Sequence, residues 1–152
     1  MDQKIAEVII SEIGVDMSRF PSHRHLASWA GLCPGNNESA GKHKSGRVRK
    51  GGRWLKRGLV ESSWAVSRAK ETYLSALFHR MIRRKGKKKA NVAVGHAILV
   101  MAYHILKKGI PYYELGADHF DRLNLKYITN HLVNRLNVLG YKVTLEPLNL
   151  VA

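Results

Sequence analysis

Eight cations stand within sixteen residues, and no acid falls among them: Lys42, Lys44, Arg47, Arg49, Lys50, Arg53, Lys56 and Arg57. Glycines interleave them, so the backbone as well as the side chains can approach a phosphate. A solvated loop is the plain alternative, but loops balanced for solubility carry both signs. Just ahead of this run, Ser39 sits in Asn36-Asn37-Glu38-Ser39-Ala40-Gly41-Lys42. A hydroxyl there has the chemistry to attack a phosphodiester, with the cations stabilising charge on the phosphoryl oxygens. Residue type alone carries this only a short way, because most loop serines cap or turn.

A second run comprises Arg80, Arg83, Arg84, Lys85, Lys87, Lys88 and Lys89. It suits a solvated helix junction as well as a phosphate contact. Trp54 and Trp64 stand beside the cations; base stacking is open to them, but tryptophans are mostly buried and core packing is the expected role. Eight histidines are present without a metal-binding spacing, and they read as satisfied core or surface residues.

The whole-chain balance agrees with the local one. Lys and Arg outnumber Asp and Glu by 26 to 11, a net charge of +15, which points to nucleic acid or an anionic membrane surface. A 45% apolar content argues against a disordered basic tail. Cys33 is the sole cysteine, so neither an internal disulfide nor a cysteine metal cage is available. No N-terminal stretch resembles a signal peptide. The longest apolar run, Val92 to Leu106, is 15 residues, below the roughly 20 needed to span a bilayer. The basic runs also lack an amphipathic partner rich in exposed Leu and Phe, so no membrane partner is expected.

The elements that must position these groups are mainly helical, and one compact domain is expected. Ile5, Val8, Ile9 and Ile13 predict a helix over 4–13, stopped by Gly14. Ser22 is an N-cap candidate for a second helix through Leu26 and Trp29, ended by Gly31. Residues 34–52 hold five glycines and predict an extended or hairpin-like loop longer than an ordinary connection. Helical periodicity resumes over 53–70, with Leu55, Leu59, Ser62, Val66 and Ala69 on one face and Arg53, Arg57, Trp64 and Arg68 opposite. A helix follows over Thr72 to Arg84. Val92 to Leu106, apolar nearly all round, is the expected central helix, with Lys107-Lys108-Gly109 and Pro111 as its stop. A last helix runs from about Leu125 to Leu139, and Tyr141 to Leu145 alternates like a short strand.

Several of these stretches together carry a resemblance. Phe20-Pro21-Ser22, the segment HLASWAGLCPGNNESAGK from His25 to Lys42, and Arg49-Lys50-Gly51-Gly52-Arg53-Trp54-Leu55 stand in order along the chain. So do Lys88-Lys89-Ala90 with Ala93-Val94-Gly95-His96, Tyr112 to Asp118, and Leu139-Gly140-Tyr141 to Pro147. The set resembles the C-terminal domain of transposases of the insertion-sequence 110 family, the group that includes Piv-like DNA invertases. Gly52 departs from the family pattern, where Asn is usual. The resemblance covers almost the whole chain.

It implies a serine-bearing, DNA-binding domain acting in transposition and recombination, with Ser39 as nucleophile and Ser45 as nearest rival. Lys42, Lys44, Arg47, Arg49, Lys50, Arg53 and Arg57 are the expected nucleic-acid contacts. It also implies a RuvC-like domain holding Mg²⁺ on an acidic cluster, a structured guide RNA, and a homo-oligomer in the full-length protein, all in the bacterial cytoplasm at the nucleoid. The acidic domain is not found here, so no metal site and no activity alone are expected. Residues 1–20 match the remnant of a helix-hairpin-helix, which should leave the first helix short of a partner. Residues 34–52 are then the basic loop, 53–140 the helical core and 141–152 the tail. The alternative reading is a non-enzymatic basic RNA- or DNA-binding module.

Overall fold

The computed structural model describes residues 2–35, 37–48 and 50–146, at 37 and 43–45 by their backbone. Its helices are α1 (Gln3–Ile13), α2 (His23–Trp29), α3 (Arg53–Val66), α4 (Tyr73–Lys85), α5 (Lys87–Lys108), α6 (His119–Leu123) and α7 (Leu125–Val138). Two short strands, β1 (Asn37–Ser39) and β2 (Lys42–Ser45), separate α2 from α3. The mainly helical class expected from periodicity is the class observed. Contacts group the chain into two units, Met1–Ala117 and Asp118–Ala152.

The first unit is built around α5. This helix runs 22 residues, well past the apolar stretch that marks it in sequence. Gly86 (φ 79°) releases it from α4, and Gly109 (φ 66°) closes it with an N–H donated to the Ile105 carbonyl at 2.8 Å. By length and composition α5 is long and apolar enough to cross a membrane. Here Ala90, Val94, Ile98, Leu99 and Tyr103 are instead buried in the core, with α2, α3 and α4 against the helix. Small residues set the spacing. A Cβ on Gly95 would lie 3.4 Å from Leu59 of α3. Beside it Ser63 of α3 donates to Asn91 of α5 at 3.1 Å, a buried hydrogen bond that fixes the register of the two helices.

α1 does not want for a partner. Ile9 and Ile13 enter the core, while Ile5 and Val8 lie over Gly58 of α3, where a Cβ would come within 3.4 Å of Val8. A short 3-10 turn, Met17–Arg19, then buries Met17 and leads to Phe20. The Phe20 carbonyl accepts the Tyr103 hydroxyl at 3.1 Å, so a buried phenol holds this loop to α5. Ser22 occupies the N-cap of α2, but its hydroxyl pairs with the His25 ring at 2.9 Å rather than with the helix backbone.

The second unit contains α6 and α7. Leu132 and Leu136 share a face of α7, as their spacing predicts, and that face stays exposed within its own unit. Residues 141–146 form no strand, because alternation without a neighbouring edge has no ladder to join.

Candidate nucleic-acid interface

The glycine-rich segment is a β-hairpin. β1 and β2 pair antiparallel, with Ser39 opposite Lys42, Glu38 opposite His43 and Asn37 opposite Ser45. The two turn residues, Ala40 (φ 49°) and Gly41 (φ 73°), both have positive φ. That is the turn whose twist matches a two-residue hairpin. The register slips between Asn37 and Glu38, so Lys44 is the extra residue of β2.

Two glycines clamp the hairpin's base. Gly35 donates its N–H to the Arg47 carbonyl at 2.9 Å, and a Cβ on Gly35 would fall 2.6 Å from that oxygen. A Cβ on Gly51 would fall 2.4 Å from the Ala30 carbonyl carbon, at the end of α2. An isolated bridge, Pro34 to Val48, joins the flanks. No side chain larger than hydrogen fits at either contact, which is why glycine stands there.

This frame places the expected residues as follows. Ser39 and Lys42 are exposed on one face of the hairpin, with Cβ atoms roughly 5 Å apart for a directly opposed pair. Arg47, Lys50 and Arg53 are exposed along the path from hairpin to α3. Arg57 is exposed but pairs with Glu61 at 2.8 Å, one turn on. The pairing holds its guanidinium above its ordinary pKa, through the hydrogen bond first and the charge second. Arg49 and the side chains of Lys44 and Ser45 lie outside the described residues.

The second basic run closes on α3. Arg83, Arg84 and Lys85 end α4, where the helix dipole favours cations. Lys87, Lys88 and Lys89 begin α5, where it opposes them, and none of the first-turn residues is acidic. Lys87 Nζ lies 4.5 Å from the centroid of the Trp64 ring, a cation–π contact joining this junction to the end of α3.

The tryptophans depart from expectation. Trp54 is 65% and Trp64 41% exposed, because the buried stripe of α3 runs through Leu55, Gly58, Leu59 and Ser63, and both indoles flank it. Trp29, at the end of α2, is 47% exposed and stacks obliquely on Phe20 at 5.7 Å.

Histidines gather between α2 and α5. The His23 and His104 rings are 5.2 Å apart, and His23 also meets the edge of Tyr103. Burial and the His23 charge push His96 below its ordinary pKa. Burial, His23, Lys108 and Lys107 do the same to His104. Among the described residues, no three His, Cys, Asp or Glu side chains converge to hold a metal ion. The described residues therefore make up no Mg²⁺ cage of that kind.

A family model described as Transposase IS116/IS110/IS902 family matches residues 1–79. That span takes in α1, α2, the hairpin, α3 and the start of α4. No curated protein and no solved structure matches the chain.

Proposed function

The chain belongs to the IS116/IS110/IS902 transposase family, and on that premise we propose that it grips DNA by its phosphates and presents Ser39 to a phosphodiester. One observation supports this above the others: the hairpin sets Ser39 and Lys42 opposite each other at its tip. The Ser39 oxygen would bond to phosphorus, and the displaced strand would leave as an alcohol carrying the serine's proton, giving a phosphoserine link. Lys42 would stabilise charge on the phosphoryl oxygens. Arg47, Arg49, Lys50 and Arg53 would hold flanking phosphates, and Lys44 would add to them. Arg57 would join once it exchanges Glu61 for a phosphate.

Mg²⁺ would be held by a RuvC-like domain acting alongside, rather than by the described residues. A structured guide RNA and assembly as a homo-oligomer belong to the same reading.

Salt titration of duplex binding tests the grip. With about six phosphates neutralised, log K should fall by roughly 5 per decade of salt. Replacing Arg47, Arg49 and Lys50 with Ala should weaken binding to all sequences by similar factors, because phosphate contacts carry no sequence information. A salt-insensitive affinity, or a loss confined to one sequence, would reject the phosphate grip.

A further inference from the structure

We propose that the outer face of α3 is a stacking track for unpaired DNA, with Trp54 as its principal base-stacking residue and Trp64 as its second. This rests on the reading that the chain holds DNA and says which form of DNA this face takes.

All three tryptophans are more than two-fifths exposed. An indole is the largest apolar side chain a protein can leave in water, and leaving one there forfeits the burial that usually holds it. Both indoles of α3 also lie where charge favours a polyanion. Trp54 follows Arg53 and sits one turn past the glycine clamp of the basic hairpin. Trp64 sits at the other end, under the ammonium of Lys87, within the second basic run. Glu61, the acid between them, is neutralised by Arg57.

The two indoles are ten positions apart, a rise of roughly 15 Å along the helix. That is about four stacked steps at 3.4 Å per nucleotide. A single strand laid along α3 would therefore meet an aromatic ring at each end and cations at both. A duplex hides its base faces inside the stack and has none to offer an exposed indole. Cations set beside aromatic rings are the chemistry of sequence-tolerant single-strand binding. Lys87 covers one face of Trp64 and leaves Trp54 the more open ring.

Anisotropy of a labelled oligothymidylate and of a labelled duplex of equal length separates the possibilities, with an oligouridylate as a third arm. Trp54→Ala should weaken oligothymidylate binding roughly fivefold to a hundredfold, the range seen when one stacked base loses its ring. Duplex binding should change by less than about twofold. Trp54→Phe should retain most of the single-strand affinity. Melting temperature should be unchanged in both variants, since the indole is largely outside the core. With Trp29 and Trp64 replaced by Phe, oligothymidylate should quench the fluorescence of the remaining Trp54. Equal losses on both DNA forms, no loss on either, or tighter binding of oligouridylate than of oligothymidylate would overturn the proposal. If the unaltered chain binds neither DNA form, the broader DNA reading fails and this one with it. Normal binding untouched by Trp54→Ala removes the stacking track alone.

Discussion

The Glu114 carboxylate accepts the backbone N–H of Tyr73 at 2.8 Å, across 41 residues of sequence. The bond ties the segment after α5 to the first turn of α4, where Thr72 accepts from Ser75 at 3.2 Å. Glu114 also accepts from the Gly116 N–H at 3.0 Å and the Tyr112 hydroxyl at 2.9 Å. One carboxylate thus closes its own turn and supplies negative charge to a helix N-terminus.

The acid limb of stability should depend on this carboxylate. Burial alone would raise its pKa, but the donors from Tyr73, Gly116, Tyr112 and Leu115 outweigh burial and hold it below its ordinary 4.5. A depressed carboxyl stabilises the fold above its unfolded pKa, and that contribution disappears as pH falls through the lower, folded value. Glu114→Gln keeps an acceptor for Tyr73 but does not titrate, so it should flatten the melting-temperature profile below about pH 4.5. Glu114→Ala should cost about 0.5–2 kcal/mol near neutrality, the usual cost of losing a helix cap. At the alkaline end, burial and the bond to Glu114 raise Tyr112 to about 12. Its contribution should hold below pH 10 and fade as pH rises through about 12, when phenolate absorbance should report it.

Mild acid should act through the histidines. His96 and His104 are both pushed below 6.5. A histidine favoured in its neutral form stabilises the fold above its unfolded pKa, and that is lost as pH falls through its folded value. Stability should therefore decline below about pH 6.5. His96→Gln should reduce the decline, as thermal melts across this range would measure.

Ser39→Ala, placed in a transposase that includes a metal-holding domain, should abolish the covalent protein–DNA adduct while leaving DNA binding nearly intact. Ser39 is exposed at the tip of the hairpin, so its loss should change stability by less than about 0.5 kcal/mol. Ser45→Ala is the control. An adduct that survives Ser39→Ala and vanishes with Ser45→Ala would transfer the role to the rival serine.

Substitutions at the hairpin's glycines and its alanine should act through different causes. Gly51→Ala drives a methyl into the Ala30 backbone at 2.4 Å and should cost about 1–3 kcal/mol through overpacking. Gly41→Ala meets no atom within 4 Å and carries only the positive-φ penalty, about 1–2 kcal/mol. Ala40→Asn should improve the turn, because Asn tolerates a φ of 49° better than Ala does. Slower amide exchange across β1 and β2 would register the gain.

Helix positions were legible because they rest on local spacing and punctuation. Gly14, Gly31, Gly86 and Gly109 all take positive φ at or beside helix ends, and α1, α4 and α7 lie within a residue or two of where periodicity puts them. α6 escaped notice because His119–Leu123 is five residues long and shows no apolar period. The hairpin was legible as an unusual segment, and its basic residues with it. Its clamp was not, since Gly51 matters through Ala30, a residue on another element. Trp54 and Trp64 were misjudged because composition gives only an average burial. A shift of one position around α3 separates them from Leu55 and Ser63. Glu114 carries no local signal at all, because its partner stands on another helix.

The slip in the hairpin ladder governs how its length can change among related chains. Strand side chains alternate faces, so each added or lost residue reverses the side on which everything beyond it projects. Lys44, the extra residue of β2, is absorbed as a bulge, so the pairs Ser39–Lys42 at the tip and Asn37–Ser45 nearer the base keep their facing. Removing Lys44 would keep the composition basic and leave those pairs opposed, but would take away the local bend and added twist between tip and base. Relatives that present this serine on the same side should therefore change the arms by even numbers of residues, or absorb an odd residue of one arm in a bulge such as this one.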